Sequence, residues 1–133
     1  MHTYNKVSHA EKITIEGLNG VHFLDNMDHN VERVQDGALC LVQPVDNAYL
    51  DTQAEVAIID PGMGRSIVLK KQNSSTTIAW NPWARGAAAL ADLGDTEWSE
   101  MACVEAGNIL GNRVSVEAGQ EHTIAATISV RSL

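Results

Sequence analysis

Short runs of β-forming residues recur along this chain at intervals of roughly 8 to 12 residues, with turn-forming residues between them, and that pattern calls for an all-β fold. Residues 13–16 end at Gly17-Leu-Asn-Gly20, and residues 21–24 end at the polar cluster Asp25-Asn-Met-Asp-His-Asn30. Residues 38–42 are apolar throughout and read as a buried strand. Residues 55–59 run into Asp60-Pro-Gly62, a strong turn signal. Residues 66–71 and 76–80 flank Gln72-Asn-Ser-Ser75 and read as a hairpin. Residues 101–105, 114–116 and the long alternating run 123–130 complete the set. The single helical candidate, residues 84–91, is alanine-rich, but Gly86 and its short length limit it to a turn or two. There is no internal repeat or linker. At 133 residues and 44% hydrophobic content the chain suffices for one core, so residues 1–133 are expected to form a single antiparallel β-sandwich domain.

Charge narrows the partners. The formal net charge is -8, with only 9 Lys and Arg, which lacks the basic footprint that nucleic acid and anionic membranes require. The longest apolar runs fall well short of the ~20 residues that span a bilayer, and a cytoplasmic location is the expectation. Cys40 and Cys103 lie far apart in apolar runs and read as buried free thiols. Asp25, Asp28 and His29 read as a polar hairpin loop, and Arg65, Lys70, Lys71 and Arg85 as solvated charges.

The chemistry-bearing stretch is Trp80-Asn-Pro-Trp83 followed by Glu100-Met-Ala-Cys-Val-Glu-Ala-Gly-Asn108. In a strand, Met101, Cys103 and Glu105 share one face. A carboxylate on an apolar face costs free energy unless paired or partly wet, and burial raises its pKa toward the range of a general base. On burial preference alone, a Glu at a strand end points into solvent.

Five ordered blocks resolve that choice. Thr76-Thr-Ile-Ala-Trp-Asn-Pro-Trp83, Ala91-Asp-Leu-Gly-Asp95 and Ala102-Cys-Val-Glu-Ala-Gly-Asn108 resemble the hexose-6-phosphate mutarotases, the glucose-6-phosphate 1-epimerase branch of the aldose 1-epimerase (galactose mutarotase-like) superfamily. His2-Thr-Tyr4, with Ile15-Glu-Gly-Leu18 and Phe23-Leu-Asp25 after it, and Val45-Asp-Asn-Ala-Tyr49 are similar to further blocks of that family. The likeness covers only the C-terminal half of such a domain. It implies part of a galactose mutarotase-like supersandwich, a hexose or hexose 6-phosphate as partner, and interconversion of its α and β anomers without metal or cofactor. By resemblance Glu105 matches the general base, His2 the general acid and Asp46 an aspartate that hydrogen-bonds sugar hydroxyls. A base and an acid flanking the anomeric centre are expected to face each other across roughly 6 to 9 Å, by analogy with paired-carboxylate sugar sites.

The chain departs from the family at Asn47, where an arginine is usual, and at Asn5, where a phenylalanine is usual. Asp46 also has a local reading, since Pro44-Val-Asp-Asn47 is turn-like and Asp often satisfies its own backbone there. Trp80 and Trp83 are expected to pack the core beside Glu105. A half-sandwich leaves sheet edges and an apolar face open, so a homodimer is expected, the alternative being a smaller rearranged sandwich. The competing functional reading is a non-catalytic sugar-binding or self-assembling β-sandwich derived from that family.

Overall fold

The computed structural model describes residues 1–133 and contains two antiparallel sheets facing each other. The first has strands β1 (Tyr4–Lys6), β10 (Met101–Gly107), β9 (Thr76–Asn81), β6 (Val45–Tyr49), β3 (His22–Asp25) and β4 (Val31–Val34), in that spatial order. The second runs β11 (Ala125–Ser132), β8 (Arg65–Gln72), β7 (Val56–Asp60), β2 (Thr14–Glu16) and β5 (Leu39–Cys40). Side chains alternate across each strand, so one set fills the space between the sheets. Val45, Tyr49, Phe23, Ala79, Ala102 and Val104 of the first sheet meet Ile15, Val56, Ile58, Ile67 and Leu69 of the second in one core. The chain is therefore an all-β antiparallel sandwich, as the strand pattern led one to expect. No helix is long and apolar enough to cross a membrane.

Several local expectations need correction. Residues 38–42 are not a buried strand: only Leu39–Cys40 pair, on an edge, with Leu39 and Leu41 turned inward and Cys40 and Val42 outward. An apolar run read as buried on both faces is here an alternating edge strand. Cys40 is thus exposed, whereas Cys103 is buried, and both are free thiols. Residues 66–71 and 76–80 do not form a hairpin. β8 pairs with β7 and β11, whereas β9 pairs with β6 and β10. Residues 73–75 form an arch that carries the chain from one sheet to the other. Asn73 adopts a positive φ of 55°, and the buried Ser74 hydroxyl donates to the Gly107 carbonyl at 2.8 Å, tying the arch to β10. Residues 114–116 form no strand, and β1 and β4 carry too little pattern to be read in advance. The helix α1 (Trp83–Ala87) is short, as its glycine implies.

Other readings hold. Asp60-Pro-Gly-Met-Gly64 closes the β7–β8 hairpin, with the Asp60 side chain accepting from Met63 N at 3.2 Å and Gly64 at φ 59°. Residues 26–30 join β3 to β4 as a polar hairpin loop, where Arg33 binds both Asp25 and Asp28. Lys71 is a further correction, because it is buried and not solvated. Its ammonium donates to the Thr52 carbonyl at 2.9 Å and to Thr77 Oγ1 at 2.7 Å, and burial pushes its pKa down to about 8.

Candidate active site

The outer face of the first sheet carries the site, and strand register dictates its contents. Tyr4 lies beside Cys103, Cys103 beside Trp80 and Trp80 beside Asp46, giving one row across four strands. The next row runs Glu105, Ile78, Ala48 and Leu24. His2 lies two residues before Tyr4, and the Met1 nitrogen donates to the Ala106 carbonyl at 3.1 Å, so the end segment continues along β10 and is held there. Alternation then puts His2 on the same face as Tyr4, over Glu105.

The Glu105 side chain is only 11% exposed. Its carboxylate touches His2 Nδ1 directly, and its pKa lies above the ordinary carboxylate value of 4.5. Burial is the main cause and the charge of Asp46 adds to it, against the lowering effect of His2 and the terminal ammonium. The carboxyl at the end of this face is thus drawn in, not pointed to solvent. The expected gap between His2 and Glu105 is absent. The two side chains are hydrogen-bonded to each other, because an imidazole on a short leading segment closes onto the nearest desolvated acceptor.

Asp46 sits within β6, in the row next to Glu105. Its Oδ2 accepts from Asn26 Nδ2 at 2.6 Å, so a side chain from the β3–β4 loop orients it, and the turn reading does not apply. Trp80 is the other correction. It stands half-buried in the site wall, its ring centroid 5.5 Å from that of His2 and 5.9 Å from that of Tyr4, and it does not face the core. Trp83 does pack on the core and against Trp98, with centroids 4.5 Å apart. Asn47 and Asn5 face the interior between the sheets. An arginine at Asn47 would be directed away from this surface, and Asn5 instead donates to the Ala102 carbonyl at 3.1 Å.

Sequence reading overlooked Tyr4, Asn26 and Asn81. Asn81 Nδ2 donates to the carbonyls of Trp98 and Met101, each at 2.8 Å, and its Oδ1 accepts from Trp83 N. It thereby pins both ends of the loop between β9 and β10. That loop lifts Asp92, Leu93 and Glu97 beside Tyr4, and with Lys6, Glu100 and Met101 they line a cleft of about 390 Å³. The cleft lies over the row adjoining Cys103, and Glu105 is across Tyr4 from it. Its volume is in the range of small-molecule sites, but its walls are acidic, and Lys6 is bound to Glu100. Cys103 lies under the aromatic cluster with its thiol pushed up to about 12, first by burial and then by Glu105.

These elements can exchange a proton between a desolvated carboxyl and an imidazole beside an aromatic wall and a fixed carboxylate. Comparison with known proteins gives the chain a family. The profile of the aldose 1-epimerase family matches residues 1–129. A proposed glucose-6-phosphate 1-epimerase of Cenchrus ciliaris is 32% identical over 121 residues, covering 90% of this chain and 36% of the relative. One of Haemophilus influenzae is 26% identical over 124 residues, covering 88% of this chain and 43% of the relative. The crystal structure of YeaD, a proposed mutarotase of Salmonella typhimurium, superposes with a TM-score of 0.84 over 100% of this chain and 45% of that one, at 21% identity. The chain thus spans less than half the length of the relatives it matches. The chain belongs to the aldose 1-epimerase family.

Proposed function

We propose that the outer face of the first sheet binds an aldohexose, free or as its 6-phosphate, and interconverts the two anomers. Glu105 takes the proton of the C1 hydroxyl while His2 delivers one to the ring oxygen. The C1–O5 bond breaks, leaving the open-chain aldehyde. Rotation about C1–C2 presents the other face of the carbonyl and O5 attacks it; the O5 hydroxyl proton passes back to the His2 imidazole while the Glu105 carboxyl returns its proton to the former carbonyl oxygen on C1, restoring both groups. Asp46, oriented by Asn26, accepts hydrogen bonds from sugar hydroxyls. The ring face rests on Trp80 and Tyr4. Because His2 and Glu105 touch each other, the sugar enters by parting them, and its C1–O5 edge replaces the contact.

The observation that supports this reading most is Glu105 itself: a nearly covered carboxyl with a raised pKa, beside an imidazole and the Trp80 and Tyr4 rings, with the Asp46 carboxylate in the adjoining row. Positioned acid–base groups contribute about 10²–10⁴-fold each. A coupled anomerisation assay on glucose and glucose 6-phosphate, with the uncatalysed rate subtracted, tests the proposal. Loss of at least a hundredfold in Glu105→Gln supports it, and equal rates would exclude Glu105 as the base.

The direct His2–Glu105 contact favours one alternative, a sheet that binds sugar without turning it over. Titration calorimetry showing sugar binding with no anomerisation above background would select that alternative. We also propose that the chain self-associates. Ile128 and Val130 of β11 lie on the same side as Leu69 and Ile67, their buried neighbours on β8, yet they are 45% and 59% exposed. A second copy covering this overhang is the homodimer expected from the open edge.

A further inference from the structure

We propose that His2, Cys103 and Glu105 form a binding site for a thiophilic divalent cation of the zinc class, at the spot where the sugar is turned over. The His2 imidazole nitrogen, the Cys103 sulfur and a Glu105 carboxylate oxygen all lie within 4.8 Å of one another. Zinc binds sulfur at about 2.3 Å, imidazole nitrogen at about 2.0–2.1 Å and carboxylate oxygen at about 2.0–2.2 Å, so ligands at tetrahedral corners stand roughly 3.3–3.8 Å apart. The triad therefore needs a contraction of about an ångström at its widest pair. Two of its members are fixed by strand β10, where positions 103 and 105 project from the same face. The third is carried by the segment ahead of β1, so the imidazole swings without disturbing the sheet.

The donor set selects the ion. A mixed nitrogen, sulfur and oxygen triad suits zinc and its tetrahedral surrogate cobalt(II), whereas magnesium and calcium take oxygen ligands. The cation replaces the thiol proton of Cys103, which leaves to solvent, and a fourth position stays open above the sheet. The aromatic rings of Tyr4 and Trp80 shelter the cluster, with the His2 centroid 4.8 Å from Tyr4. The ion and a sugar hydroxyl would compete for the same Glu105 oxygen. That consequence rests on the mutarotase reading, whereas the metal site does not.

Cobalt(II) titration of the untagged chain, followed optically, tests the site without any activity measurement. The expected result is a near-ultraviolet thiolate-to-cobalt band with tetrahedral-type visible absorption, bleached by one equivalent of zinc. The band should survive in Cys40→Ser, which removes the exposed thiol, and vanish in Cys103→Ser. His2→Asn changes a half-exposed side chain and so spares the fold; it should weaken cobalt affinity at least tenfold. A chain that shows no thiolate band, or whose band is lost with Cys40 and kept without Cys103, overturns the proposal. If cobalt binds as described while no anomerisation is seen in the metal-free chain, the metal site stands and the mutarotase reading falls.

Discussion

Glu105 sits where a strand's alternation and a sheet's register put a carboxyl among rings, and its titration carries a consequence for stability. Its folded-state pKa is raised above the ordinary 4.5, chiefly by burial. The folded chain therefore holds that proton more tightly than the unfolded chain. The resulting stabilisation is complete below the ordinary value and is lost as pH rises through the raised one. The stability of Glu105→Gln relative to the parent is expected to rise between about pH 4 and pH 8. Urea midpoints at the two ends of that range check it, and a pH-independent difference would count against a desolvated Glu105. Lys71 has the opposite geometry: a cation whose pKa falls from 10.5 to about 8 because it is buried between the sheets. Above the unfolded value both states are neutral, and stability is lost as pH falls through the folded value. Stability should thus climb by up to about 3 kcal/mol from pH 8 to pH 10.5, and Lys71→Met should flatten the climb.

At the scale of elements, two connections decide which strands become neighbours. Ser74 holds the arch between β8 and β9 by its bond to Gly107, and Ser74→Ala leaves that buried carbonyl without its donor. A loss of about 1–3 kcal/mol is expected, read as a lower urea midpoint at unchanged slope. Gly17 turns the chain out of β2 with φ 97°, and a Cβ there would collide with the Glu55 carbonyl. Gly17→Ala should cost more than about 1 kcal/mol for that reason. These connections also explain what the sequence could and could not disclose. Strands β2, β3, β7, β8, β9, β10 and β11 were legible because apolar alternation stops at Gly, Pro and Asn-rich turns. The pairing of β8 with β11 instead of β9 was not, since a short polar segment serves a hairpin and an arch equally well. Residues 38–42 misled because composition does not reveal which sides of a strand are covered. Trp80 and Lys71 were misplaced for the converse reason: a large ring can form a site wall, and a long cation can be buried when carbonyl and hydroxyl acceptors meet its head.

Taken as a whole molecule, the sandwich is closed at its centre and open at β11. The exposed Ile128 and Val130 belong to the core face of their sheet, and sedimentation velocity is expected to find dimers that Ile128→Lys converts to monomers. A monomeric parent chain would leave the self-association proposal without support. Strand alternation drew attention to Glu105, but its proposed grouping with His2 and Asp46 came only from resemblance, because 103 positions separate His2 from Glu105 and nothing local links them. The fold performs that linkage by seating the leading segment against β10. What the chain does with the arrangement is decided by rate. Anomerisation of a single purified hexose anomer, followed by polarimetry or a coupled dehydrogenase, should run well above the spontaneous rate in the parent chain and fall at least a hundredfold in Glu105→Gln. Parent and variant turning over at the same rate would contradict the assignment of Glu105 as the proton acceptor.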